Sequence, residues 1–263
     1  MSENSPAAAL ARLQGVLDTL LGPDGCPWDK TQTSRSLCDY VIEEAFELVD
    51  CIRGDDPAGV AEELGDVMFL LLFIATLAAK KGEFTLADAL NVASDKMVRR
   101  HPHVFGDVKV ENREQLLKNW ERIKRAEKDK DHQGLYATLP KGLPPLLKAY
   151  RIHSKAARSG FTWESDDAMR QSLVAEKAEF DAAVASGDAD VMAEEFGDFL
   201  FSLTEYGRRL GLKANSCLDM ANNKFLTRYN AMEALAKKRN INLDSLDMPA
   251  KNALWEEVKK VKK

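Results

Sequence analysis

The 263-residue sequence predicts an all-α fold of two tandem-duplicated helical-bundle domains, and three observations carry that prediction. Strand-like alternation of β-branched residues is nearly absent, whereas apolar residues recur at helical spacing. The four tryptophans form two pairs of equal spacing: Trp28 to Trp120 is 92 positions (120 − 28), and so is Trp163 to Trp255 (255 − 163). Inside each pair lies the same acidic pattern, Glu-x-x-Glu and then Glu-x-x-Asp. It reads Glu44, Glu47, Glu63 and Asp66 in the first half, and Glu176, Glu179, Glu195 and Asp198 in the second. The step from the second acid to the third is 16 in both (63 − 47 and 195 − 179). Matched spacing of this kind marks a duplicated unit, and small changes of offset mark loop insertions.

The elements follow in order. A first amphipathic helix covers 10–21 and stops at the turn Gly22-Pro23-Asp24-Gly25. Val41, Ala45, Leu48 and Ile52 recur at i, i+4, i+7 and i+11, which predicts a helix over 37–53. Gly54-Asp55-Asp56 breaks it, and Pro57 suits the first turn of the next helix, which runs to about residue 81. A helix over 86–100 ends at His101-Pro102, and a charged helix over 114–128 closes the first half. The predicted domains are 1–130 and 146–263, joined by a linker at 131–145 that ends in Pro140-Lys141-Gly142-Leu143-Pro144-Pro145. The second half repeats the order with helices over 146–158, 166–186, 189–210, 214–238 and 250–260.

Composition excludes several classes. A content of 45% hydrophobic and 30% charged residues is that of a globular chain. The formal net charge of −5 gives no electrostatic footprint for a nucleic acid polymer or an anionic membrane. The longest apolar run, 67–75, is far short of the roughly 20 residues that span a bilayer. The first nine residues do not read as a signal peptide. Cys26, Cys38, Cys51 and Cys217 have no C-x-x-C spacing, so the expectation is a reduced, cytoplasmic protein.

Acids at i and i+3 share one helix face, and two such helices packed against each other can aim four carboxylates at one point. Carboxylate oxygens are hard ligands that suit Mg²⁺ or Mn²⁺, and Mg²⁺ usually completes its shell with water and substrate phosphates. Glu44 and Glu47 lie opposite the apolar arc of their helix and also fit a merely solvated face. Asp66 argues for a site, because it precedes the run Val67 to Ile74, and a helix apolar all round is expected to be buried with its acids. A di-iron bundle would need Glu-x-x-His on two helices. His101, His103, His132 and His153 all fall outside the acidic pairs. Lys96/Arg100 and Lys224/Arg228 are one turn apart and could clamp phosphates, or simply form charged faces. Walker A, G-x-G-x-x-G and G-x-S-x-G motifs are absent, so any phosphate chemistry falls to a metal.

The full set of motifs resembles the MazG family of nucleoside triphosphate pyrophosphohydrolases over nearly the whole chain, in its two-domain form. The resemblance rests on Cys26-Pro27-Trp28-Asp29, Glu43-Glu44-Ala45-Phe46-Glu47, Glu63-Leu64-Gly65-Asp66 and Arg99-Arg100-His101-Pro102-His103 in the first half. In the second it rests on Gly160-Phe161-Thr162-Trp163, Glu194-Glu195-Phe196-Gly197-Asp198, Ala221-Asn222-Asn223-Lys224-Phe225 and Leu254-Trp255-Glu256-Glu257. It implies the all-α NTP pyrophosphohydrolase fold and a homodimer. It also implies Mg²⁺-dependent cleavage of nucleoside triphosphates, between the α and β phosphates, to monophosphate and pyrophosphate. By the same resemblance Glu44, Glu47, Glu63 and Asp66, and Glu176, Glu179, Glu195 and Asp198, hold metal, with the second set expected to be catalytic. Asn222, Lys224, Arg228 and Trp255 are expected at the nucleotide. Two positions depart from the pattern: Glu43 has Ala175 as its counterpart, and Ser34 stands where a histidine often follows Gln-Thr.

Overall fold

The computed structural model describes residues 5–112, 115–116, 119–120, 122–123, 134–137 and 139–261. The chain separates into two compact units, Met1–Ile123 and Lys124–Lys263. Among the described residues every regular element is helical and no strand occurs. No helix among them is long and apolar enough to cross a membrane. The charged helix expected over 114–128 falls largely outside the described residues, as does part of the expected linker.

Unit 1 is built from α1 (Pro6–Leu20), α2 (Cys38–Arg53), α3 (Pro57–Lys80), α4 (Leu86–Arg100) and the short α5 (Pro102–Phe105). Local chemistry fixes the starts of α1, α3 and α4. The Ser5 hydroxyl accepts from the Ala8 amide, and Pro6 occupies the first turn where its missing N–H costs nothing. Asp56 accepts from the Ala58 and Gly59 amides and sets α3 in the same way. Thr85 and Asp88 form a reciprocal capping box at α4. The loop after α1 turns so tightly at Gly25 that a Cβ there would lie 2.1 Å from the Leu20 carbonyl oxygen, so only glycine fits.

Leu17, Leu37, Leu70, Leu72 and Phe73 form the buried core of unit 1, ringed by Leu13, Val41, Phe69, Ile74 and Leu77. The Gln14 side-chain amide donates to the Thr76 hydroxyl at 2.9 Å and pins α1 to α3. α2 packs along α3 as a helical hairpin.

Unit 2 has α6 (Pro145–Arg158), α7 (Asp166–Ser186), α8 (Ala189–Arg209), α9 (Ala214–Lys238) and α10 (Met248–Val261). α7 and α8 form the second hairpin, and α6 packs on α8. Gly187 ends α7 in the left-handed region (φ 75°), a conformation that favours glycine, and Asp188 caps α8 at once by accepting from the Asp190 and Val191 amides. In unit 1 the corresponding turn uses a left-handed Asp55 (φ 53°), a residue type that tolerates this region. Met232, Ala236, Leu254 and Val258 bury the α9–α10 contact.

One expectation is corrected. α3 was expected to be buried on all sides, with Asp66 inside. The structure buries Leu70, Leu72, Phe73, Ala75 and Ala78, but Leu64 and Leu71 remain 51% and 47% exposed, and Asp66 is exposed as well. Asp198 is likewise exposed. α1, α2 and α4 cover only part of the α3 surface, so the apolar run serves two faces: one fills the core and one stays open.

Candidate metal centre

The two hairpins bring the predicted acids together. In unit 1, oxygens of Glu44 on α2 and of Glu63 and Asp66 on α3 lie within 4.8 Å of one another. In unit 2 the same is true of Glu176 and Glu179 on α7 with Glu195 on α8. Glu47 and Asp198 stand outside these groups of three. Their charges nevertheless act on them: Glu47 on Glu44 and Glu63, and Asp198 on Glu195. Each predicted quartet is thus one electrostatic cluster with three oxygens drawn tightest.

The cost of this crowding shows in the acidities. Partial burial first, and then the charges of Glu47 and Asp66, raise the Glu44 carboxyl above its ordinary range. The closeness of the Glu63 carboxyl adds to the rise at Glu44. Desolvation and the charge of Glu47 raise Glu63. Glu195 is raised by desolvation, then by Glu179, Asp198, Glu194 and Glu176. Crowding of this kind favours a proton or a cation between the carboxylates. An all-oxygen donor set of partly buried acids fits a hard divalent ion and offers no sulfur or imidazole to a softer one.

The remaining predicted residues lie on other helices, and none belongs to an acidic group. Asn222, Lys224 and Arg228 are on α9, and Trp255 is on α10. The Trp255 ring contacts Phe225 at 5.2 Å between centroids, so an aromatic contact stands beside the Lys224/Arg228 stretch. In unit 1 the corresponding Trp120 has Arg100 above its ring at 5.8 Å and His101 edge-on at 4.8 Å. Trp28 and Trp163 belong to the loops that precede each hairpin. Trp28 is exposed and meets Tyr40 edge-on, while Trp163 lies beside His153.

Sequence reasoning missed a buried polar cluster in unit 2: His153, Glu205 and Arg208. Glu205 sits in the stretch after Asp198 that reads as core, and the offset of 132 (205 − 73) places it where unit 1 has Phe73. Aligning the two copies residue by residue beyond their acids would have exposed it.

A family-wide sequence profile described as the MazG nucleotide pyrophosphohydrolase domain matches residues 32–105. The protein called nucleoside triphosphate pyrophosphohydrolase in Escherichia coli K12 is 35% identical over 253 residues, covering 95% of this chain and 96% of its own. The nucleoside triphosphate pyrophosphohydrolase/pyrophosphatase MazG of Thermotoga maritima is 35% identical over 247 residues, or 94% of each chain. The uncharacterised YabN of Bacillus subtilis is 39% identical over 251 residues, 95% of this chain and 51% of its own. Helical hairpins carrying grouped carboxylates, together with these relatives, define an all-α hydrolase. The chain belongs to the MazG nucleotide pyrophosphohydrolase family.

Proposed function

We propose that the protein hydrolyses nucleoside triphosphates to the monophosphate and pyrophosphate with Mg²⁺ as the working ion and Mn²⁺ as an acceptable substitute. The observation that carries this reading is the pair of three-oxygen acidic groups, one in each hairpin, which share the equivalent positions Glu44/Glu176 and Glu63/Glu195. Relatives aligned over nearly the whole chain bear the corresponding name. Glu176, Glu179, Glu195 and Asp198 are the proposed catalytic and metal-holding set, and Glu44, Glu47, Glu63 and Asp66 hold metal in unit 1. A bound divalent ion supplies neutralisation of the charge that develops on the phosphate oxygens and lowers the pKa of coordinated water. The protein's share is positioning: the acids would hold the ion that meets the phosphates, while Lys224 and Arg228 offer cations and Asn222 and Trp255 offer polar and stacking contacts to the nucleotide. Substrate choice is proposed to be broad, as suits a house-cleaning role, and the four free cysteines accord with a cytoplasmic setting.

Incubation with each nucleoside triphosphate and Mg²⁺, followed by separation of products, is expected to give monophosphate and pyrophosphate in equal amounts. Diphosphate with orthophosphate, or no turnover, would overturn the proposal.

The open apolar side chains of the hairpins, Ile42, Phe46, Leu64 and Leu71 in unit 1 and Val174, Phe196 and Leu203 in unit 2, support a homodimer that covers them. A sedimentation mass near one 29.3 kDa chain would rule it out.

A further inference from the structure

We propose that His153, Glu205 and Arg208 form a proton-dependent latch, in which Glu205 exchanges a partner within α8 for one on α6. The two copies of the fold differ most sharply here. By the 132 offset, Leu70, Leu72 and Phe73 of unit 1 become Ser202, Thr204 and Glu205 in unit 2, and all six are buried. Glu205 is only 1% exposed, so its charge needs compensation from within the protein.

Arg208 supplies it. Its Nε lies 2.6 Å from Glu205 Oε2 and its Nη2 lies 2.8 Å from Oε1, a bidentate pair one turn apart on α8. His153, buried on α6, approaches the same Oε2 with its Nδ1 at 3.7 Å. Its Nε2 lies 3.1 Å from the Phe201 carbonyl oxygen. That oxygen can only accept, so Nε2 carries the proton, and in the neutral ring a bare Nδ1 faces a carboxylate oxygen. Both ring nitrogens therefore face acceptors, and only the imidazolium can donate to both.

Protonation turns an unfavourable approach into a second claim on Oε2, in competition with Arg208 Nε. The ion pair within α8 becomes in part an ion pair between α6 and α8. Glu205 and Arg208 are the charged groups acting on the ring, and the titratable Tyr150 on α6 lies near Arg208. His153 is 6% exposed, with the Phe201 and Trp163 rings beside it at 3.9 and 6.4 Å between centroids.

Burial lowers the His153 pKa below its ordinary 6.5, and Glu205 offsets only part of that shift, so the latch is open at neutral pH. The sign follows by linkage. The stability gained with a neutral His153 is present above the unfolded-state value and is lost as pH falls toward the lower folded-state one. Acid thus engages the cross-helix pair at a cost to overall stability. α8 also carries Glu195 and Asp198, so its seating on α6 is mechanically continuous with the acidic group.

The test uses the full-length chain labelled with ¹⁵N histidine and arginine. Imidazole and guanidinium signals are followed from pH 8 to pH 5, with circular dichroism recorded on the same samples. The expected result is an Nε2–H tautomer for His153 at pH 8. As Nδ1 takes its proton, the Arg208 Nε signal should shift with the same midpoint, helix content being retained. In His153→Gln the Arg208 signal should no longer respond to pH in that window. A His153 titration that leaves Arg208 unmoved would overturn the latch. So would an Nδ1–H tautomer, a ring that stays neutral to pH 5 in folded protein, or an Arg208 shift that persists in His153→Gln.

Discussion

Glu195→Gln is expected to lower pyrophosphate release by about 100- to 1,000-fold on the proposed function, because loss of a metal ligand would remove several kcal/mol of transition-state charge stabilisation and each 1.36 kcal/mol is a factor of ten. The amide keeps the volume of the carboxylate and removes its charge, so the helix is left intact. Glu195 is the member of the second group contributed by α8, and desolvation, then the charges of its neighbours, raises its pKa above the ordinary range. Glu63→Gln makes the same change in unit 1 and is expected to cost less turnover, since the proposed function places catalysis in unit 2. Pyrophosphate release from the two variants, measured side by side, decides the assignment. A larger loss in Glu63→Gln would move the chemistry to unit 1. The pH dependence should agree with this picture. On the proposed function, protons compete with the divalent ion for Glu44, Glu63 and Glu195, all held above their ordinary range, so ion binding should weaken on acidification at a higher pH than free carboxylates would require. In the ion-free chain these acids favour folding at low pH, and that contribution is lost as pH rises through their raised values. A divalent ion added at neutral pH should therefore raise the melting temperature, and calorimetry should find that gain reduced in both variants.

Phe73→Ala is expected to destabilise unit 1 by about 3–5 kcal/mol, the usual cost of removing a buried aromatic ring and leaving a cavity. Phe73 is 1% exposed and is the largest fully buried side chain in its cluster with Leu17, Leu37, Leu70 and Leu72. It meets Phe69 edge-on at 5.9 Å, so the loss includes an aromatic contact as well as apolar area. For a unit of this size the melting midpoint should fall by about 10–20 °C. A scan resolving the unit 1 transition checks this, and a fall of only a few degrees would mean that the core collapses into the space. Unit 2 meets the same structural need differently. Its equivalent position carries Glu205, whose stability rests on a bidentate pair and not on buried carbon.

The helices were legible because their punctuation is local: Pro57 and Asp56 start α3, Gly187 and Asp188 separate α7 from α8, and His101-Pro102 stops α4. The acids were legible because spacing on a helix translates directly into a shared face, and the 16-residue step then brings two faces together. Burial of Asp66 was misjudged because a helix apolar all round fits two situations, a core and an open face, and the sequence of one chain does not separate them. The His153–Glu205–Arg208 cluster went unread for a different reason. His153 and Glu205 are 52 residues apart (205 − 153), and no local pattern announces that α6 will lie against α8. A glutamate four residues past Phe201 is a clue only when its counterpart in the other copy is known to be Phe73.

The turns that join each hairpin have a consequence for how such a chain can change over generations. Each turn fixes an integer, the number of residues between the second acid and the third. One residue inserted into the turn between α7 and α8 would rotate every later side chain by about 100° about the helix axis. Glu195 would leave the group it shares with Glu176 and Glu179, while a long amphipathic helix could still pack. Deletions and insertions at Gly187–Asp188 should therefore abolish chemistry before they abolish folding, leaving drift in these loops to proceed by substitution at constant length.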